Sequence, residues 1–116
     1  MKEINDVQDE GVIRLWIAII RLAVKDYKQA YRLIKKLRSP DWNVKFRKRY
    51  SKYLDGIEPE KQQEYLELMR DRQLIGAELT ISEVENLFHS RLYCSITNID
   101  GDVFLERIRK EIQNEV

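Results

Sequence analysis

The apolar residues between positions 12 and 38 recur with the spacing of one long amphipathic helix. Successive members of the main row are separated by 4, 3, 4, 3, 4 and 3 residues, which keeps them on one side of a helix. The row comprises Trp16, Ile20, Ala23, Tyr27, Ala30, Ile34 and Leu37. Seven further apolar residues widen this face between positions 12 and 24. We therefore predict a spine helix at about 12–38 that contacts other helices on two sides.

Turn and capping residues predict a second, shorter helix after the spine. Ser39 and Pro40 end the spine, because a residue that precedes proline is disfavoured in the helical region. Asp41 is placed to cap a helix at about 42–54. The aromatic residues of this helix share one face and comprise Trp42, Phe46, Tyr50 and Tyr53.

The next stretch is predicted to form two helices. One begins at Pro59 and ends near Gly76, since proline suits the first turn of a helix and glycine its end. Residues 77–81 are interpreted as a short connection. Ser82, followed three residues later by Glu85, has the pattern of a capping box that starts a fourth helix. The core face predicted for that helix comprises Val84, Leu87, Phe88, Leu92 and Ile96.

A last helix is predicted at about 102–114. The run from Asn98 to Gly101 breaks the chain before it, and Asp100 is placed as its cap. The core face of this helix comprises Phe104, Leu105, Ile108 and Ile112.

The predicted fold class is all-α, a compact bundle of about five helices around the long N-terminal helix. The 116 residues fit one domain, spanning 1–116 with residues 1–6 frayed. The spacing of the spine also fits a coiled-coil seam between two copies. Packing within the chain is the favoured interpretation, and a homodimer stays an alternative.

Charge is unevenly distributed along the chain. The net charge is +1, but residues 12–54 hold thirteen bases and two acids. Residues 55–116 hold seven bases and fourteen acids. This division predicts either a basic binding surface or two halves that attract each other in the fold.

Two groups of bases form the candidate binding site for nucleic acid or a protein partner. The first is a stripe about 30 Å long on the polar side of the spine, at about 1.5 Å of rise per residue, which suits duplex phosphates. The second interleaves bases with aromatic residues, which can stack on single-stranded bases. The alternatives are a solvated helix face for the stripe and core packing for the aromatic residues. The candidate residues are Arg14, Arg21, Lys25, Lys28, Arg32, Lys35, Lys45, Arg47, Lys48, Arg49 and Lys52.

No constellation of residues predicts an enzyme. The single histidine, His89, and the single cysteine, Cys94, lie five residues apart and so do not share a helix face. A zinc site needs about three or four ligands, so no metal or other cofactor is expected. We expect His89 at the surface or at the boundary of the core, and Cys94 at the edge of the core. A lone cysteine suits a reducing cytosol, and the apolar run at 15–24 is too short to cross a membrane.

Two sequence patterns carry a resemblance to a known group of proteins. Residues 13–37 contain a Lys-Asp-Tyr…Ala…Leu pattern, and residues 85–112 contain a Phe-x-Ser…Tyr…Thr-x-Ile-Asp-Gly pattern in which Ile96 replaces an expected leucine. The matching residues are Lys25, Asp26, Tyr27, Ala30, Leu33, Phe88, Ser90, Tyr93, Thr97, Ile99, Asp100 and Gly101. Together these stretches resemble small conserved proteins encoded by phages and prophages of Gram-positive bacteria. The resemblance implies a protein that acts in the cytoplasm of a bacterial host, with an inserted helical subregion at 39–81.

The resemblance and the lack of catalytic residues together predict function by binding. The leading hypothesis is a non-enzymatic phage inhibitor of a host nucleic-acid-processing machine, most specifically an anti-CRISPR protein that blocks a CRISPR effector nuclease. The first alternative is a small phage regulator that binds DNA or RNA through the basic helix face. The second alternative is an oligomeric structural or assembly factor whose first helix forms the contact between copies.

Overall fold

The computed structural model describes residues 10–115, and these residues form an all-α fold. The predicted fold class is therefore confirmed. Six helices follow each other along this part of the chain: α1 (Glu10–Leu37), α2 (Trp42–Arg49), α3 (Ser51–Leu54), α4 (Pro59–Phe88), α5 (Arg91–Ile96) and α6 (Gly101–Gln113).

A long antiparallel hairpin of α1 and α4 is the frame of the molecule. The C-terminal end of α1 packs near the start of α4, where Leu37 and Leu66 share a cluster. Tyr27, further back along α1, packs against Val84 near the end of α4. The hairpin makes the molecule elongated, with extents of 67 × 29 × 17 Å. The prediction of a compact bundle was wrong in this respect, because the two longest helices lie side by side.

The core is a chain of three apolar clusters along this hairpin. The cluster nearest the α1–α2 turn joins Leu37 to Phe46 and Leu54. The middle cluster contains Ala30 and Ile34 of α1 and Ala77 of α4, and the two alanines place small side chains between the helices. The third lies where α5 and α6 fold back, and its buried residues are Ala23, Tyr27, Val84, Phe88, Tyr93, Leu105 and Ile108.

The prediction of two helices separated at residues 77–81 was wrong, because α4 is continuous. Gly76 lies inside α4, and residues 77–81 are helical. Ser82 lies inside the helix and is exposed, so it caps nothing. A glycine in a helix interior costs about 1 kcal/mol relative to alanine. Burial of the neighbouring Ala77 against α1 offsets that cost.

The helix predicted from 82 to 96 is divided at His89 and Ser90. The Ser90 side chain accepts a hydrogen bond from the Tyr93 amide at 3.2 Å and so begins the separate helix α5. Because α5 is a separate helix, its side chains point in other directions than in one continuous helix. Tyr93 is therefore buried, and Leu92 and Cys94 are exposed. Leu92 as a core residue and Cys94 at the edge of the core were therefore wrong predictions. His89 is exposed, as predicted.

The corner between α5 and α6 follows the prediction closely. Asp100 caps α6, because its carboxylate accepts hydrogen bonds from the amides of Asp102 at 2.8 Å and Val103 at 3.3 Å. Gly101 is buried against the backbone of Phe88, and a Cβ at this position would overlap the Phe88 carbonyl. A glycine is therefore required where α6 crosses the end of α4.

The helix predicted at 42–54 is also divided, at Tyr50, into α2 and α3. The break leaves Tyr53 exposed, while Phe46 packs in the core. Asp41 stands at the start of α2 but makes no capping bond with its side chain. Its carboxylate instead accepts a hydrogen bond from the Ser39 hydroxyl and pairs with Lys45 at 3.2 Å.

Candidate functional site

The predicted bases fall into three groups with different surroundings. Arg14, Arg21 and Lys25 lie on the N-terminal half of α1. Lys28 and Arg32 lie beside α6. The third group lies around the end of α1 and along α2 and α3, and contains Lys35, Lys45, Arg47, Lys48, Arg49 and Lys52. The bases therefore do not form one continuous site.

Lys28 and Arg32 are engaged by acids of the C-terminal region. The ammonium of Lys28 lies 2.7 Å from the carboxylate of Glu111. The single Nε–H of Arg32 is shared between the two carboxylate oxygens of Glu115, at 2.9 and 3.1 Å. This hydrogen bonding raises the pKa of Arg32 and lowers the pKa of Glu115. For these two bases, attraction between the basic and acidic halves of the chain is the correct interpretation.

The bases of the N-terminal half of α1 are exposed. Arg14 pairs with Glu10 one turn earlier, at 2.6 Å. Arg21 and Lys25 are also exposed, and neither forms an ion pair with any part of the chain between 10 and 115. Arg14 lies about 30 Å along the helix from Lys35 at about 1.5 Å per residue, so the two ends of α1 present separate surfaces.

The third group belongs to a concentrated positive surface, which we call the basic end. It comprises residues 35–54, which carry eight bases and one acid, Asp41. Hydrogen bonding from Ser39, and then the pairing with Lys45, lower the pKa of Asp41. The single carboxylate of this surface is therefore already occupied by groups of the same turn.

A cleft of about 240 Å³ opens between the end of α1 and α2 at the basic end. Its apolar floor includes Trp42 and Phe46, whose rings meet edge to face at 5.5 Å. Lys36, Lys45 and Arg49 line the same cleft. It therefore combines an apolar floor with three positive side chains and no acid among its lining residues.

A second cleft of about 370 Å³ adjoins the first and shares Lys36 and Lys45 with it. Lys35 and Arg32 also line this second cleft, together with Glu115. The two clefts thus bring the end of the spine stripe beside the second basic group. Sequence reasoning placed Lys35, Lys45 and Arg49 among the candidates but missed Lys36, whose only signal was its place in a run of two lysines.

The side chains that surround the first cleft are held by contacts with α4. The guanidinium of Arg70 lies over the Trp42 ring at 4.7 Å, and its Nε donates a hydrogen bond to the Leu37 carbonyl at 2.8 Å. Because Arg70 covers one face of Trp42, we assign this ring to packing within the fold and not to ligand binding. Tyr53, with 67% of its surface exposed, is the aromatic residue of the basic end that is open to a partner.

Arg47 points away from the clefts and ties α2 to α4. It donates hydrogen bonds to Asn43 at 2.9 Å and to Gln63 at 3.0 Å. Lys48 and Lys52 are exposed. The predicted second group therefore divides into cleft residues, one residue that braces the helices, and two exposed lysines.

The described residues show little that points to metal or membrane binding. No cluster of three or more His, Cys, Asp or Glu side chains suited to a metal ion occurs between 10 and 115. His89 contacts Asp102 at 2.5 Å, an exposed pair at the α4–α6 corner. No helix within the described part is long and apolar enough to cross a membrane.

Comparisons with known proteins do not add a family. No protein-family model matches the chain. Searches of curated proteins and of solved structures find no match either.

Proposed function

We propose that this chain is a non-enzymatic protein that binds nucleic acid through the phosphate backbone, with the basic end as its contact surface. One observation carries the proposal: the end of α1 and α2 bring Lys35, Lys36, Lys45 and Arg49 around two adjoining clefts. Four positive charges so placed match the closely spaced phosphates of a nucleic acid strand.

The chemistry of this surface favours binding that does not depend on base sequence. Lysine and arginine contacts to phosphate position a protein on nucleic acid but carry no sequence information. Tyr53, four residues after Arg49, is exposed and offers a ring on which an unpaired base can stack. We therefore expect single strands to bind at least as well as duplexes of the same length.

Fluorescence anisotropy with labelled duplex DNA, single-stranded DNA and RNA tests the proposal. We expect dissociation constants on the order of 1–100 µM, as for non-specific binders. Affinity should fall between about 50 and 200 mM salt with a logarithmic slope near −4 on duplex DNA, about one unit per phosphate contact.

Matched variants locate the contact surface. Replacing both Lys36 and Lys45 by alanine should reduce the magnitude of the salt slope by about 2, uniformly across sequences. Arg107→Ala removes an exposed base of α6, away from the basic end, and should leave binding nearly unchanged. Equal losses in both variants, or no binding at about 50 mM salt, would contradict the proposal.

A second candidate is the inhibitor of a CRISPR effector nuclease that the phage resemblance implies. The basic end supports it as well, because a positive cleft fits the guide RNA, the target DNA or an acidic patch of the effector. An inhibitor should bind the loaded effector at about 150 mM salt and block DNA cleavage, and Lys36→Ala with Lys45→Ala should restore cleavage. Effector binding without affinity for free nucleic acid would favour this candidate over the first.

A further inference from the structure

The N-terminal half of α1 is an apolar helix, of which Ile20 packs, partly buried, against the third cluster. We call residues 10–22 the arm. Eleven of the thirteen residues from 12 to 24 are apolar, yet no residue of the arm is buried. The arm extends past the end of α4, because the last α4 core residue, Phe88, already packs with Ala23 and Tyr27.

The exposed apolar side chains of the arm form a row with bases along one flank. Leu15 and Leu22, seven residues apart, are 60% and 58% exposed. Arg14 and Arg21 lie along one side of this row, and Lys25, three residues past the arm, continues them, at intervals of seven and four residues. We refer to these three residues together as the bases of the arm. Burying such a row requires a partner with an apolar surface that carries acids beside it.

The outer face of α4 has this composition. Leu68, Ile75 and Leu79 are more than half exposed on the side of α4 that faces away from α1. We call these three residues the outer row. The neighbouring acids Glu67, Asp71 and Glu78 are exposed as well and follow at intervals of four and seven residues.

The two surfaces fit each other in one orientation. At 100° per residue, the bases of the arm and the acids of α4 lie on the same rotational side of their apolar rows. Only an antiparallel approach then places bases against acids. In that register Leu15 and Leu22 meet Ile75 and Leu68.

The same register pairs each of the three bases with an acid. The bases are spaced by seven and then four residues and the acids by four and then seven, so the two sets coincide when the helices are antiparallel. Arg14 meets Glu78, Arg21 meets Asp71, and Lys25 meets Glu67. Within one chain Glu78 lies 3.7 Å from Arg38, so Arg14 would share this carboxylate with Arg38. Arg72, the base beside the middle of the outer row, falls on the opposite flank and does not oppose the bases of the arm.

We propose that the occupant of the outer row is the arm of a second copy of this chain. Within one chain the arm extends beyond the far end of α4, so it cannot reach its own outer row. The contact joins two different surfaces and leaves one of each free, which makes it a head-to-tail interface rather than a closed dimer. This proposal does not rest on nucleic acid binding, since it uses other residues than the basic end.

The full-length chain should therefore self-associate in a way that depends on concentration and salt. Sedimentation equilibrium from about 10 µM to about 1 mM covers the range of dissociation constants expected for a weak interface. The expected result is an average mass that rises past that of a dimer without a plateau. Raising salt from about 50 to 500 mM should weaken the association, because three exposed ion pairs are screened.

A charge exchange at the central pair tests the register. Neither Arg21 nor Asp71 forms an ion pair with the residues between 10 and 115, so reversing them leaves the fold intact. Arg21→Glu and Asp71→Arg should each raise the dissociation constant about tenfold or more, and the double variant should recover to within about threefold of the unmodified chain. Arg107→Glu makes the same charge change as Arg21→Glu on exposed α6 and should have no effect.

Three outcomes would overturn the proposal. The first is a chain that stays monomeric at about 1 mM and low salt. The second is a plateau at the mass of a dimer that Asp71→Arg does not disturb, which would assign the arm to an arm–arm seam. The third is a monomer that associates only after deletion of residues 2–9, which would make the chain's own N-terminal segment the occupant. Circular dichroism of each variant verifies that it is folded.

Discussion

The N-terminal half of α1 is at least as apolar as the C-terminal half, yet the two halves have opposite environments. Residues 23–37 contribute five buried side chains to the core, whereas residues 10–22 contribute none. Two leucines show the contrast: Leu37 is 1% exposed and Leu22 is 58% exposed. Periodicity therefore predicts a helix and its apolar faces, but whether a face is covered depends on where the rest of the chain returns.

The packed half is also fixed by a polar network that joins three helices. The Tyr27 hydroxyl of α1 donates a hydrogen bond to Glu85 of α4 at 2.9 Å and accepts one from Arg109 of α6 at 3.0 Å. Arg109 and Glu85 pair directly at 2.6 Å. Each of the three polar groups thus has a partner, which makes the docking of α4 and α6 on this half specific.

The largest expected effect compares the same substitution in the two halves. Leu37→Ala should lower the free energy of unfolding by about 2–5 kcal/mol, because it leaves a cavity among Phe46, Leu54 and Leu66. Leu22→Ala should change it by less than about 0.5 kcal/mol in dilute solution. Urea denaturation at low micromolar concentration measures both.

An equal loss of unfolding free energy in Leu37→Ala and Leu22→Ala would contradict the difference in burial between the two halves. It would mean that the arm is as well packed in solution as the C-terminal half of α1. Repeating Leu22→Ala at high protein concentration separates burial within one chain from burial between copies, because only the latter depends on concentration.

Sequence reasoning failed in α4 for a specific physical reason. Gly76 and the pair of Ser82 and Glu85 have the composition of a helix end and a helix start, and local propensity favours a break. Packing of Ala77 and Val84 against α1 outweighs these small local terms. Glu85 accepts a hydrogen bond from Tyr27, 58 positions away in the sequence. No local sequence pattern reveals this contact.

The candidate site was only partly predictable for a similar reason. The basic composition of residues 35–54 is visible in the sequence, and so were Lys35, Lys45 and Arg49 as candidates. The pairing of Arg32 with Glu115 joins residues 83 positions apart, so the sequence left open whether that base was free. Only the folded hairpin shows that α6 neutralises the middle of the stripe.

The second effect concerns the corner that covers the packed half. Gly101→Ala should destabilise the chain by about 3 kcal/mol, because the new methyl group overlaps the carbonyl of Phe88 and forces α6 away from Tyr27. Gly76→Ala is the matched control, since its Cβ would meet no atom within 4 Å. It should stabilise α4 by up to about 1 kcal/mol. Thermal unfolding measures both, and destabilisation by Gly76→Ala would argue for a break in α4.

The third effect isolates the polar network. Tyr27→Phe should cost about 2 kcal/mol, because it removes hydrogen bonds to two charged groups. Tyr93→Phe is the control: the Tyr93 hydroxyl is buried without a hydrogen-bond partner in the described part of the chain. Its removal should be neutral or stabilise by up to about 1 kcal/mol. A larger loss from Tyr93→Phe than from Tyr27→Phe would show that the network contributes little.

The fourth effect is the pH dependence that the network predicts. Burial, followed by the neighbouring Tyr31 and Glu85, raises the pKa of Tyr27 above its ordinary value near 10. Folding thus favours the protonated phenol, and this stability is present below about pH 10 and lost as the pH rises further. The unmodified chain should lose up to about 1.4 kcal/mol per pH unit more than Tyr27→Phe between about pH 10 and 11. Tyr53→Phe, at an exposed position, should retain the steep loss in urea denaturation.

The smallest effect compares two neighbouring lysines of the packed half that differ in their ion pairing. Lys28 pairs with Glu111 at 2.7 Å and its side chain is 27% exposed, whereas Lys25 is exposed and has no ion pair between 10 and 115. Lys28→Gln should cost about 0.5 kcal/mol at low salt and less at about 500 mM, since partly exposed pairs are weak and screened. Lys25→Gln should have no effect in the dilute monomer. A double-mutant cycle of Lys28→Gln with Glu111→Gln measures the pair itself. A coupling energy near zero would mean that α6 is held on α1 by apolar packing and the Tyr27 network alone.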